Sequence, residues 1–240
     1  MDGSAVAIVV GAGPGLGSAL ARRFARAGML VAVVRRDRAA LDAVVQKVGP
    51  AARPYACDAA NEQAVAALFE SVARDLGPPR LVVHNAGSFA RKSLLETSAA
   101  EFEQSWRNAC LGGFLVGREA VRLMLAGGDG ERHRGTIIFT GATASLRGGA
   151  NFHNLAVGKF SLRALAQSMA REFQPHGIHV AHVIIDGQIE SERPGRSVAE
   201  RGVDAVLSPD AIAETYHQLH LQPPSAWTHE LDLRPYVEKF

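Results

Sequence analysis

The chain has 240 residues, of which 47% are hydrophobic and 21% charged, with a formal net charge of +2. That length admits one large domain or two small ones, and the apolar fraction suffices for one sizeable core. The balance of 26 Lys and Arg against 24 Asp and Glu gives no electrostatic ground for nucleic acid or an anionic membrane as main partner. The arginine groups Arg22/Arg23/Arg26, Arg35/Arg36/Arg38 and Arg132/Arg134 read, taken one by one, as solvated helix or loop faces. Cys57 and Cys110 lie at no metal-like spacing and argue against a disulfide framework, which suits a reducing cytoplasm. The opening apolar run is too short, and too soon broken by glycine, to read as a signal peptide or membrane span.

Short Val/Ile-rich runs alternate with longer amphipathic stretches. AVAIVV (5–10) reads as a buried strand, and 16–28 as a helix ending on Gly28. A strand at 30–34, a helix at 38–49, a short strand at 53–57 and a helix at 62–77 follow. RLVVHNAG (80–87) is a fourth strand running into a turn. One long helical stretch covers about 99–126. A fifth strand spans 135–141, a helix 153–173 and a sixth strand 178–185. Beyond Pro194 the pattern loosens, although Ser208-Pro209-Asp210 is a good helix opening. Continuous apolar strands alternating with helices predict a parallel sheet covered on both faces. The expected fold is therefore α/β, a doubly wound Rossmann sheet in a single domain over 1–240. The tail, about 220–240, carries Trp227, Leu231, Leu233, Tyr236 and Phe240. It is expected to pack on the domain or across a subunit boundary.

VVGAGPGLGSAL places Gly11, Gly13, Gly15 and Gly17 between the first strand and the first helix. Glycines let a backbone turn tightly and approach a pyrophosphate. The helix N-terminus then offers free N–H groups and a positive dipole end. Standing in this strand–turn–helix context, the pattern predicts nucleotide binding, against a tight turn with no ligand.

The spacing Gly11-x-x-x-Gly15-x-Gly17 resembles the short-chain dehydrogenase/reductase family. Further positions along nearly the whole chain agree. Asp58 in CDAA stands where the family has an aspartate near the adenine. HNAG (84–87) is similar to its Asn-Asn-Ala-Gly motif, with His84 for the first Asn. Asn108 matches its mid-helix asparagine. IIDGQIES (184–191) resembles its Pro-Gly segment beside the nicotinamide, with Asp186 for Pro, Gly187 kept and Ser191 near the usual Thr. The cofactor-binding set this implies is Gly11, Gly13, Gly15, Leu16, Gly17, Arg35, Arg36, Asp58, Asn85, Ala86, Gly87, Lys159, Gly187, Ile189 and Ser191. At the end of the second strand an acidic residue would bind the ribose 2′-hydroxyl of NAD(H). Here Arg35 and Arg36 stand instead, and arginine suits a 2′-phosphate, so NADP(H) is favoured over NAD(H). Two solvent-facing arginines would leave the preference open. Asp37 comes too late in the chain for the ribose and reads as loop or helix cap.

The resemblance implies a Ser-Tyr-Lys set supported by Asn. Lys159 and Asn108 match it, but Leu155 stands at the tyrosine position and Ala142 at the serine position. Neither side chain donates a hydrogen bond. Loss of a positioned general acid lowers rates by about 10²–10⁴-fold. Thr143 is a possible substitute, with Thr140 and Ser145 nearby. His153 lies about 200° around the helix from Leu155 and reads as a helix N-terminal residue. Of the tyrosines, Tyr216 is the best outside candidate, ahead of Tyr55 and Tyr236. Lys159 retains a use in gripping ribose hydroxyls, or is a surface lysine; Asn108 could instead brace a neighbouring strand.

Two functions compete. One is an atypical NADP(H)-dependent oxidoreductase acting on a small organic molecule. Its acceptor would need no phenol: an iminium, which already carries positive charge, or an activated C=C bond protonated by water. The other is a catalytically impaired NADP(H)-binding sensor or assembly partner. A scaffold with no nucleotide is the weaker third reading. The resemblance also implies a homodimer or homotetramer, formed through the helices at 99–126 and 153–173. The segment at about 190–208, usually the substrate lid, suggests no single ligand shape.

Overall fold

The computed structural model describes residues 4–87, 90–127 and 132–238. In chain order its principal elements are β1 (Val6–Val10), α1 (Leu16–Arg26), β2 (Leu30–Arg35), α2 (Arg38–Val48), β3 (Ala52–Ala56), α3 (Glu62–Asp75) and β4 (Pro79–His84). Then come α4 (Ala99–Trp106), α5 (Gly112–Ala126), β5 (Gly135–Thr140), α6 (His153–Phe173), β6 (Ile178–Ile185), α7 (Val198–Arg201), α8 (Pro209–His220) and β7 (Glu230–Leu233). The strands form one parallel sheet in the order β3-β2-β1-β4-β5-β6-β7. This is the doubly wound α/β sheet that the alternation of strands and helices predicts.

Strand periodicity sorts the two cores. Val6, Ile8 and Val10 pack on one face with α3, α5 and α6. Ala7 and Val9 face the other side, against α1, α2 and α8. Because helices cover both faces, β1 and β6 are buried along their whole length. Each fully buried Val, Leu or Ile contributes roughly 1.5–3 kcal/mol through the hydrophobic effect.

Three sequence expectations need correction. The helical stretch at 99–126 is not continuous: a π-turn, Arg107–Leu111, separates α4 from α5. The inward His84 lies beside that turn, with its Nε2 3.1 Å from the Ala109 carbonyl oxygen. A carbonyl only accepts, so Nε2 carries the proton. Glycines 112 and 113 make room for the ring; a Cβ on them would stand 3.3 and 3.5 Å from it. Second, the tail is more regular than its sequence suggests. Glu230–Leu233 forms a seventh strand parallel to β6, with Leu231 and Leu233 against the chain's own core and Trp227 stacked on His179. Tyr236 is exposed, and Phe240 lies outside the described residues. Third, Tyr216 is fully buried on the α1 side of the sheet, where its hydroxyl donates to Thr140 Oγ1. Burial raises its pKa, and no substrate can reach it.

Candidate active site and cofactor cleft

The loop after β1 is built by backbone contacts. Gly11 takes a left-handed φ of 92°, and a Cβ on it would stand 2.7 Å from Ala86 N. A Cβ on Gly17 would stand 2.4 Å from Gly11 O, so α1 and the loop can approach only through glycine. Gly13 and Gly15 differ. No atom lies within 4 Å of where their Cβ would be. The chain's own packing does not require glycine there, whereas an anion seated on the N-terminus of α1 would. Leu16, the first residue of α1, is buried and fixes the helix start.

A cleft of about 290 Å³ opens beside this loop. Gly11, Gly13, Arg35, Arg36, Asp58 and Asn108 are among its lining residues, as is the turn Asn85–Ala86–Gly87. Asn85 Nδ2 donates to Gly11 O at 3.1 Å, tying the end of β4 to the glycine loop. Asp58 Oδ1 accepts from Ala60 N, which holds it at the cleft edge. Arg35 is half-buried and Arg36 exposed, both at the end of β2. Asp37 caps α2 by accepting from Ala40 N, as its place in the sequence suggested.

Lys159, on α6, lies behind Gly87 at the cleft wall. It is only 6% exposed, and its Nζ donates to Thr140 O at 2.6 Å. A Cβ on Gly87 would stand 3.5 Å from that Nζ, so the ammonium lies directly beneath the turn. Burial lowers its pKa to about 8. Asn108 sits within the π-turn, and its Oδ1 accepts from Gln104 Nε2 at 2.8 Å. Leu155 and Ala142 are half-buried and bring no polar side-chain atom. His153 begins α6, facing Thr97 Oγ1 at 3.0 Å and stacking on Phe102. Gly187 lies under the tail, where Pro235 Cδ would be 2.7 Å from its Cβ. Ile189 bridges to Leu207. Ser191 Oγ is buried with no hydrogen-bond partner. An orphaned hydroxyl at this position, together with the open space over Gly13 and Gly15, fits a dinucleotide laid across the strand ends.

The ends of β5, β6 and β7 hold a network that sequence reasoning did not assemble. Thr143 Oγ1 donates to Asp186 Oδ1 at 2.5 Å. Asp186 Oδ2 pairs with Arg234 Nη2 at 2.8 Å, and Arg234 also pairs with Asp232. Asp186 is visible in the sequence as a replacement for proline. Arg234 is not, since only the pairing of β7 with β6 brings it there. The one available signal was the alternation of apolar and polar residues in ELDL, which marks a short strand. Behind this network Ser145 Oγ lies 3.4 Å from His182 Nε2. His182 Nδ1 lies 3.4 Å from Glu230 Oε2, and Arg163 grips Glu230 with two bonds of 2.6 and 2.7 Å. The order Ser-His-Glu imitates a nucleophile relay, but Ser145 and His182 are fully buried, out of reach of any substrate. Burial drives His182 down to about 4 against the opposing pull of Glu230. The arrangement fastens the tail strand to α6.

Known proteins agree with this architecture. A family model described as short chain dehydrogenase matches residues 5–200. The chain is 30% identical over 195 residues to a Xanthobacter autotrophicus protein named inactive 2-(S)-hydroxypropyl-CoM dehydrogenase 2, covering 81% of this chain and 82% of that one. The structure of a short-chain dehydrogenase from Rhodopseudomonas palustris superposes with a TM-score of 0.81 at 40% identity, over 97% of this chain and 99% of the other. A metagenomic short-chain oxidoreductase solved in complex with NADP gives a TM-score of 0.82 at 28% identity, over 98% and 99%. With its sheet, its glycine loop and most of its length accounted for in this way, the chain belongs to the short chain dehydrogenase family of oxidoreductases.

Proposed function

We propose that the protein binds NADP(H) in the cleft beside the glycine loop and transfers hydride to or from a small organic substrate without a tyrosine general acid. The observation that carries this reading is the contrast within one site. The loop leaves open space over Gly13 and Gly15, while Leu155 and Ala142 offer no hydrogen bond to a carbonyl oxygen. In this reading Gly11–Gly17 and the N-terminus of α1 cradle the pyrophosphate. Arg35 and Arg36 hold the 2′-phosphate, Asp58 the adenine edge, and Lys159 the nicotinamide ribose. Gly187, Ile189 and Ser191 flank the ring. Bound NADPH supplies a hydride; the chain's part is to bind, orient and exclude water. Arg35 and Arg36 support NADP(H) over NAD(H), since two guanidinium groups favour a phosphate dianion. A relative solved with NADP is consistent with that choice.

A second reading, a catalytically impaired NADP(H)-binding sensor or assembly partner, is favoured by the same two apolar residues. One similar protein also carries the word inactive in its name. Calorimetric titration with NADPH and NADH tests both readings, followed by turnover assays. Binding plus turnover that disappears in Lys159→Ala supports the enzyme; binding without turnover supports the sensor. Absence of any heat or fluorescence change at millimolar NADPH sinks both. We further propose that the whole chain acts as one nucleotide-binding unit and assembles as a homodimer or homotetramer. The exposed Phe114 on α5 and Phe160 on α6 support burial of that face between copies. Among the described residues no helix is long and apolar enough to cross a membrane.

A further inference from the structure

We infer that the substrate end of this cleft accepts a cationic hydride acceptor, a protonated imine, and discriminates against the ketone of the same shape. The inference rests on the hydride-transfer reading above and names the acceptor that reading leaves open.

Hydride transfer to a carbonyl depends on which groups can donate. A carbonyl oxygen gains negative charge as hydride arrives and needs a donor beside it. Leu155 and Ala142 supply none. Thr143, adjoining Ala142 and half-buried just beyond the end of β5, is the nearest hydroxyl along the chain. Its single proton, however, is committed to Asp186 Oδ1 at 2.5 Å. A carboxylate only accepts, so Thr143 must be the donor in that bond. What Thr143 can then show a substrate is an oxygen lone pair. Where a carbonyl-reducing site would place a donor, this site places an acceptor backed by a carboxylate.

Net charge is balanced here, so the hydrogen-bonding pattern carries the preference. Asp186 is 6% exposed and paired with Arg234, which is shared with Asp232, so the trio sums to −1. The nearby Lys159 ammonium, bonded to Thr140 O, offsets that charge. An iminium N–H⁺ matches this arrangement: its proton donates to Thr143 Oγ1, and its charge lies near the Asp186 carboxylate. A ketone oxygen would face lone pairs and gain nothing. The chemistry balances without an added proton. The iminium carbon accepts the hydride that NADPH supplies, forming a C–H bond. The C=N π pair becomes the lone pair of the neutral amine, and NADP⁺ is left.

The test uses the full-length protein with NADPH, comparing dihydroisoquinoline with tetralone. The imine should be reduced with a kcat/KM at least about tenfold above that of the ketone, the scale of one charge-assisted hydrogen bond. Thr143→Val and Asp186→Asn should each lower the imine kcat/KM about tenfold or more, with NADPH affinity unchanged. The saturated product, tetrahydroisoquinolinium, gives a readout without turnover. Its calorimetric affinity should fall in the same variants. Thr143→Val, nearly isosteric, keeps the test valid if Asp186→Asn fails to fold. The inference is overturned if tetralone is reduced as well as the imine, or if NADPH binds but the imine is not reduced. It is also overturned if Thr143→Val leaves both imine turnover and ammonium binding unchanged. Failure to bind NADPH at all removes the functional reading itself, which separates the two failures.

Discussion

The two halves of the sheet handle their polar groups in opposite ways. Around β1, β2 and β4 the glycine loop leaves unfilled space over Gly13 and Gly15, and the arginines at the end of β2 face the cleft. Around β5, β6 and β7 polar side chains are bonded within the chain: Thr143 to Asp186, Asp186 to Arg234, Glu230 to Arg163, and Lys159 to the backbone of Thr140. The first half leaves space that the chain's own side chains do not fill. The second half is braced by the chain's own tail. Apolar residues at 142 and 155 therefore leave the contacts that build the glycine loop intact, because the two halves draw on different strands and different contacts.

The sharpest way to break this comparison is to restore the missing groups. Leu155→Tyr with Ala142→Ser should create carbonyl reductase activity some 10²–10⁴-fold above the unmodified protein, up to ~5.5 kcal/mol in the barrier. NADPH oxidation with tetralone measures it. No gain would mean that the tail network, and not the missing hydroxyls alone, has reshaped the substrate end.

Acid should unfold the protein through its buried histidines. His84 is held at about 3, chiefly by burial and then by the Lys159 charge, against an ordinary value of 6.5. His182 and His220 are each held near 4, chiefly by burial. In that window the unfolded chain binds protons the folded chain refuses, so stability rises with pH. Their contribution is complete above about 6.5 and is lost as pH falls towards 4 and then 3. At ~1.4 kcal/mol per pH unit, several kcal/mol are at stake. Urea midpoints measured from pH 7.5 to 4 should fall steeply below about 6.5. A flat profile would show that these rings are solvated in the folded state.

A smaller effect sharpens the nucleotide half. Arg35→Ser with Arg36→Ser should weaken NADPH about 10–100-fold and leave NADH nearly unchanged, as expected for losing one or two charge-assisted bonds. Competition binding with the two cofactors reads this directly. Equal weakening of both would place the arginines away from the 2′-phosphate. The smallest change is expected at the rim of the opposite face. Asp210→Asn removes the exposed Arg22 partner 2.7 Å away and should lower stability by less than ~1 kcal/mol. A larger loss would show that α1 and α8 depend on that pair and not on their apolar contact.

Much of this molecule can be read from local pattern. Val/Ile runs such as 5–10 and 178–185 can be buried on both faces only in a helix-covered parallel sheet. Four glycines between a strand and a helix can be tolerated only where backbone must approach something closely. Both signals are short-range, so the sequence alone determined the α/β sheet, the glycine loop and the apolar residues at 142 and 155. What tertiary structure decided is long-range. The π-turn at Arg107–Leu111 interrupts a helical period that continues on either side, and its contact is with His84, some 25 residues away. Helical spacing placed Tyr216 on a helix but could not say that its face meets the sheet, where burial removes it from any chemistry. Arg234 reaches Asp186 only because a four-residue strand joins the sheet edge, and such a strand is selected by the partner's open hydrogen-bonding groups more than by its own composition. Periodicity specifies which residues share a face; only packing decides which faces meet, and the acceptor chemistry proposed at Thr143 belongs to that second kind of information.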